Sequence, residues 1–195
     1  MKFTIDTSCI IELEENRPHA VALRELIALS RSGAISLAIP GISASERQHN
    51  QSYSNSFNMF LAKLSGVGLS DVEILKPLAY MDICFFDQCI LAGEETLALE
   101  REIHQVLFPR IEFRWKDYEA HSRIDHDTAY RRWRNAKCDT LSIWSHIYYK
   151  CKIFVTHDKN FHNPEKKTKL IDLGAGHIEY AAGALALANR TSRAI

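Results

Sequence analysis

Residues 135–161 read NAKCDTLSIWSHIYYKCKIFVTHDKNF, and this stretch decides the fold. Leu141, Trp144, Tyr148 and Cys151 recur at three- and four-residue spacing, with Ile143 and Ile147 widening the stripe. That spacing predicts a helix over Asp139–Lys150. Ile153, Phe154, Val155 and Thr156 follow as a β-branched and aromatic run, ended by the polar turn His157–Asn160, which predicts a buried strand. A helix leading directly into an apolar strand implies an α/β architecture, a parallel β-sheet flanked by helices on both faces. Ligands of such sheets sit beyond the carboxyl ends of the strands. Asp158 stands at that end of its strand, and Asp139, at the start of the preceding helix, is expected at the same edge.

Other strands are expected at Lys2–Asp6, Ile35–Pro40, Val72–Pro77 and Lys169–Leu173. Helices are expected after Asp6, over Pro18–Ser30, from Gly41–Glu46 onward, over Asp82–Ala92 and Glu94–Leu107, and over Ile178–Asn189. The last of these would lie on the sheet or on a second subunit. The Ala120–Lys137 segment carries Arg123, Arg131, Arg132, Arg134 and Lys137 around Tyr130 and Trp133. Such a run is either a solvated helix face or a phosphate-contacting surface, and its closeness to Asp139 favours the second, with Arg131, Arg132, Arg134 and Lys137 as substrate contacts.

The 195 residues form one domain, 1–195, with a helical insertion expected over 64–137. Charged residues make up 25% of the chain and sum to zero, which does not suggest nucleic-acid binding by overall charge alone, so a local basic face would be needed. Five cysteines without a CxxC pair argue against a zinc site and for reduced thiols in a cytoplasmic protein. Acidic residues in the first turns exclude a signal peptide, and no apolar run reaches the length of a membrane span. Gly174-Ala175-Gly176 lacks the third glycine of a dinucleotide fingerprint.

Asp6 ends the first strand and Glu46 lies one turn past the second, so four carboxylates, Asp6, Glu46, Asp139 and Asp158, are expected at one sheet edge. Capping offers an alternative for two of them: Asp6 is a good N-cap, and Ser43 with Glu46 fits a capping box. Gathered acids repel by several kcal/mol unless compensated. An oxygen-only set suits Mg²⁺ or Mn²⁺, ions that pair with phosphate and activate water for phosphodiester hydrolysis.

On these residues the chain resembles the PIN-domain ribonucleases. Asp6-Thr7-Ser8 matches the family's opening strand end, Glu46 in Ser43-Ala44-Ser45-Glu46 its second acid, and Asp139 in Cys138-Asp139-Thr140 its third. Val155-Thr156-His157-Asp158-Lys159-Asn160-Phe161 matches the motif VT-x-D-x-x-F that carries the fourth. The resemblance implies a Mg²⁺- or Mn²⁺-dependent endoribonuclease that hydrolyses single-stranded RNA through a metal-activated water. Asp6, Asp139 and Asp158 would ligate metal, and Glu46 would bind a second metal or orient the water. Ser8 and Thr156 would hold carboxylates by hydrogen bonds, unless they only cap turns. His157 and His162 flank the site as ordinary surface histidines. The partners implied are an RNA substrate, a second copy of the chain and, in toxin relatives, an antitoxin-type inhibitor protein; the compact toxins are shorter than this chain. Two alternatives are an inactive PIN-fold RNA-binding or assembly module and a haloacid-dehalogenase-like phosphatase, although Ser8 stands where the latter needs a second Asp.

Overall fold

The computed structural model describes residues 1–46 and 56–192. Five strands, β1 (Lys2–Ile5), β2 (Ser36–Pro40), β3 (Glu73–Leu75), β4 (Ile153–Val155) and β5 (His177–Glu179), pair in parallel in the order β3-β2-β1-β4-β5. Alternate side chains go to opposite faces. Phe3, Ile5, Ile153 and Val155 point to one face and Phe154 and Ile178 to the other, all fully or almost fully buried. A parallel sheet dry on both faces needs helices on both, as expected.

The first face is covered by α1 (Thr7–Glu14), α2 (Ala20–Arg31), α3 (Phe57–Gly66) and α8 (Ala181–Ser192), which contribute Ile10, Leu23, Leu26, Phe60, Leu64 and the inward alanines Ala181, Ala184 and Ala188. The alanine-rich C-terminal helix therefore covers its own sheet. The second face is covered by α4 (Glu94–Leu107), α6 (His126–Tyr148) and α7 (Pro164–Leu170), with α5 (Trp115–His121) packed on α6. Among the described residues no helix is long and apolar enough to cross a membrane.

The largest departure from expectation is α6. It is one helix of 23 residues, capped by Asp125 (Oδ1 accepting from the Thr128 amide at 2.9 Å), so Asp139 lies inside it, not at its start. No Gly or Pro interrupts residues 126–148. Asp139 still reaches the strand ends for a reason of lengths. A four-residue strand is about 13 Å long, a distance a helix covers in about nine residues. The turns from about Thr140 to Tyr148 thus cross the sheet, and the basic N-terminal half projects past it.

Three further corrections have local causes. Lys169–Leu173 is not a strand: Asn163 caps a helix at the Lys166 amide (3.2 Å), with Pro164 in its first turn, and a tight turn over Ile171–Ala175 leads into β5. Gly176, at φ 62°, makes that entry, and a Cβ there would lie 2.4 Å from the Lys152 carbonyl oxygen. Asp82–Ala92 is not a helix, because its apolar residues share no face: Ile83 is buried whereas Phe86 and Leu91 are 61% and 84% exposed. A bridge to Leu78–Ala79 takes up the Ile90 backbone instead. Gly41–Ser45 is a 3₁₀ turn and Glu46 follows it in extended conformation, so no capping box forms; the helix expected to continue there runs into residues 47–55, outside the described residues.

β3 lies inside the 64–137 stretch yet belongs to the sheet, so the helical excursion begins only after Leu75. Its Ile83, Ile103 and Leu107 share one core with Trp144 and Phe154. A buried ion pair locks it to α6. The Lys137 ammonium donates to Glu100 Oε1 (2.8 Å) and lies 3.6 Å from the centre of the Phe113 ring, while the Tyr80 hydroxyl donates to Glu100 Oε2 (3.0 Å). Lys137 and Glu100 are both fully buried. Removing one partner strands the other charge, so Lys137→Ala is expected to lower stability by about 3–5 kcal/mol in urea unfolding, and Lys137→Met combined with Glu100→Leu and Tyr80→Phe to recover most of it.

Candidate functional site

The chain leaves β1 toward β2 on one side and later returns to place β4 on the other, so the crevice between the ends of β1 and β4 is the topological switch point. Asp6 and Asp158 follow these two strands. The Asp6 amide donates to the Val155 carbonyl (3.0 Å), which fixes one strand end to the other.

The Asp6 carboxylate, only 6% exposed, makes no capping hydrogen bond to α1. It is held instead by three hydroxyls. Ser8 and Thr156 donate to Oδ2 (2.9 and 2.8 Å), and Ser142 donates to Oδ1 (3.2 Å). Ser8 also accepts the His157 amide (2.9 Å) and Thr156 the Asp158 amide (3.1 Å), so each hydroxyl both donates and accepts between two strand ends. Asp158 closes its own turn, Oδ1 accepting from the Asn160 amide at 2.8 Å. The sequence reading missed Ser142, although its place three residues after Asp139 puts both on one face of α6.

The four acids meet electrostatically. Asp139 is driven well above the usual carboxylate range, first by burial and then by the charges of Glu46, Asp158 and Asp6. Glu46 is pushed up to about 8 by burial and by Asp6, with Asp158 adding to the effect; the Thr7 hydroxyl and Lys63 oppose it. Asp6 is raised by burial against the pull of its Thr156 and Ser8 hydrogen bonds. Among the described residues no ion pair is made by Asp6, Asp139 or Asp158.

The basic residues expected to contact substrate divide. Arg131, bonded to the Thr128 hydroxyl (2.9 Å), and Arg132 are exposed. Arg134 is half-buried and donates to the carbonyls of Ser45 (3.0 Å) and Asp82 (3.2 Å), so it ties α6 to the segment that presents Glu46. Lys137 is not a surface residue at all: it is spent on Glu100 in the core.

Among the described residues no three His, Cys, Asp or Glu side chains form a group that could by themselves hold a metal ion. The donors are oxygen-only and the three aspartates make no ion pair among the described residues, a set that suits a hydrated Mg²⁺ or Mn²⁺, which keeps several waters and needs only one or two direct carboxylates. Asp6, Asp139 and Asp158, with Glu46, are the residues that would hold it.

The electrostatics fix a pH dependence. A carboxyl group whose folded value is raised keeps its proton in the folded state after the unfolded chain has lost it. Stability therefore falls as pH rises from the ordinary Glu value of 4.5 to about 8, the range set by Glu46. Glu46→Gln should flatten that fall and raise the melting temperature at pH 8 while leaving it unchanged at pH 4, and Mg²⁺ or Mn²⁺ should have the same sense of effect on the parent protein. Thermal melts from pH 4 to 9 in EDTA, compared with melts in either cation, measure this.

No protein-family model matches this chain, and no curated protein matches it. What the site does is read from its own geometry.

Proposed function

We propose that the chain is a divalent-metal-dependent nuclease that hydrolyses phosphodiester bonds of single-stranded RNA. The observation that carries this reading is the gathering of Asp6, Asp139 and Asp158, with Glu46 beside them, from four separate segments around the switch-point crevice, where the three aspartates make no ion pair among the described residues. A purely structural cluster would be neutralised internally, as Glu100 is by Lys137. A bound Mg²⁺ or Mn²⁺ would supply the missing positive charge, stabilise charge building on the phosphate and make water a better nucleophile at neutral pH.

The protein's own groups do the rest. Ser8, Thr156 and Ser142 fix the Asp6 carboxylate in one orientation, so no reorganisation is needed when charge develops beside it. Glu46, buried beside Asp6 and Asp139 after the turn that follows β2, would bind a second metal or orient the attacking water. Arg131 and Arg132 are the exposed cations left on α6 to meet the phosphate backbone. RNA is the partner this function requires. A second copy of the chain and an antitoxin-type inhibitor are the further proposals that the resemblance adds, and a cytoplasmic setting is proposed from the cysteine pattern.

Incubation of labelled single-stranded RNA with the protein in Mg²⁺, Mn²⁺ or EDTA tests the proposal. Cleavage is expected only with metal. Asp6→Asn, Asp139→Asn and Asp158→Asn should each lower it by about 10²-fold or more, and Thr156→Val by about 10–100-fold, all measured well below the melting temperature of each variant. Arg131→Ala with Arg132→Ala should weaken binding and reduce its salt dependence. RNA binding with no metal-dependent cleavage would point to a binding module instead.

A further inference from the structure

Four aromatic rings line up beside the carboxylates without belonging to either large core cluster. His19 precedes α2, His157 and His162 lie in the turn after β4, and Tyr180 joins β5 to α8. His19 and His157 stack at 4.2 Å and 24°, and His157 and Tyr180 meet at 5.7 Å and 41°. Tyr180 and His162 lie nearly parallel at 3.6 Å and 10°.

The array is built into the frame that holds Asp6. The His157 amide donates to Ser8, the hydroxyl that donates to Asp6. His162 Nε2 donates to the Thr156 carbonyl (2.9 Å), and the hydroxyl of that same threonine holds Asp6 as well. Burial does not explain the rings: Tyr180 is 42% exposed, His19 is exposed and the other two are half-buried. The fold has aligned them at the water-facing edge, where the strands end and Asp158 and the exposed Lys159 also sit.

We infer that Tyr180, backed by His162, and the His19–His157 pair form a stacking subsite for an unpaired base of a single-stranded nucleic acid running past the carboxylates. A flat ring accepts any base on its π-face, whatever the base's identity. A duplex hides those faces, so the subsite selects single strands. The proximity to Asp6 and Asp158 names the ligand: the strand whose phosphate lies at the acids carries its neighbouring base onto the rings. This inference rests on the proposed nuclease reading for its strand, though its binding can be measured without cleavage.

The probe is a short fluorescein-labelled RNA, the same RNA with abasic residues, and a DNA of the same sequence, each titrated in EDTA with the intact protein. The parent should prefer the base-bearing RNA to the abasic one. Tyr180→Ala should weaken binding of the base-bearing strand about tenfold, leave the abasic strand unaffected and melt like the parent, whereas Tyr180→Phe should bind like the parent. Equal binding of the two RNAs by the parent overturns the subsite. So does parent-like binding of the base-bearing strand by Tyr180→Ala, or an equal loss on both strands. Comparable binding of DNA and RNA is expected, because a ring does not sense the 2′-hydroxyl; a strong RNA preference that Tyr180→Ala leaves intact would assign recognition elsewhere. Base-dependent binding without cleavage in Mg²⁺ or Mn²⁺ removes the nuclease reading and keeps the subsite, while cleavage with a parent-like Tyr180→Ala does the reverse.

Discussion

Like charges brought together away from bulk water repel strongly, and this fold accepts that repulsion at one edge. Asp139 experiences Glu46, Asp158 and Asp6 at once, and burial adds to each of these effects. The sheet enforces the meeting. Parallel strands all end on the same side, so residues that follow β1, β2 and β4 are delivered to one edge whatever their charge. The covered core on both faces keeps the strands from splaying to relieve the strain.

The same helix shows both ways of treating a buried charge. Lys137 and Asp139 are two residues apart on α6, which turns them about 200° from each other. Lys137 faces the excursion, where Glu100 and Tyr80 satisfy it inside a cage of aromatic rings. Asp139 faces the crevice, where its neighbours are other acids. A chain that can place a buried lysine against a buried glutamate, one turn from the crevice, leaves the crevice itself acidic. The proposed cation would answer the charge at the crevice as Glu100 answers Lys137 in the core.

How much of this could be read in the sequence depended on what each signal measured. Strands β1, β2 and β4 were legible because a doubly buried parallel strand is a short apolar run with polar ends, and each run ended in, or one turn before, an acid. Asp139 was placed at the right edge on a wrong local premise, since the hydrophobic stripe showed where α6 touches the sheet and not where the helix begins. The Lys169–Leu173 run looked like a strand because leucine and isoleucine spacing in a single helical turn imitates alternation; the Asn163-Pro164 cap was the stronger signal. Lys137 was misread because a run of cations looks like a solvated face, and its buried partner Glu100 is 37 residues away. Ser142 needed only the i+3 relation to Asp139. The ring array was out of reach, since His19, His157, His162 and Tyr180 come from three loops that only the tertiary fold brings together.

Thr156 shows how these layers are joined. Its amide donates to the Glu179 carbonyl and so links β4 to β5. Its hydroxyl donates to Asp6 and accepts from the Asp158 amide, which sets two of the acids relative to each other. Its carbonyl accepts from His162, which carries the Tyr180 ring. Every polar group of one small, fully buried residue is therefore used, and each leads to a different part of the edge. Valine has the same shape and lacks only the hydroxyl, so it would keep the sheet and the histidine while leaving Asp6 to Ser8 and Ser142 alone and the Asp158 amide without its acceptor. Serine would keep the hydroxyl but lose the methyl group that holds its rotamer. The orientation of the carboxylates and the placement of the rings thus have one mechanical origin, at the end of the strand that a short apolar run in the sequence already marks.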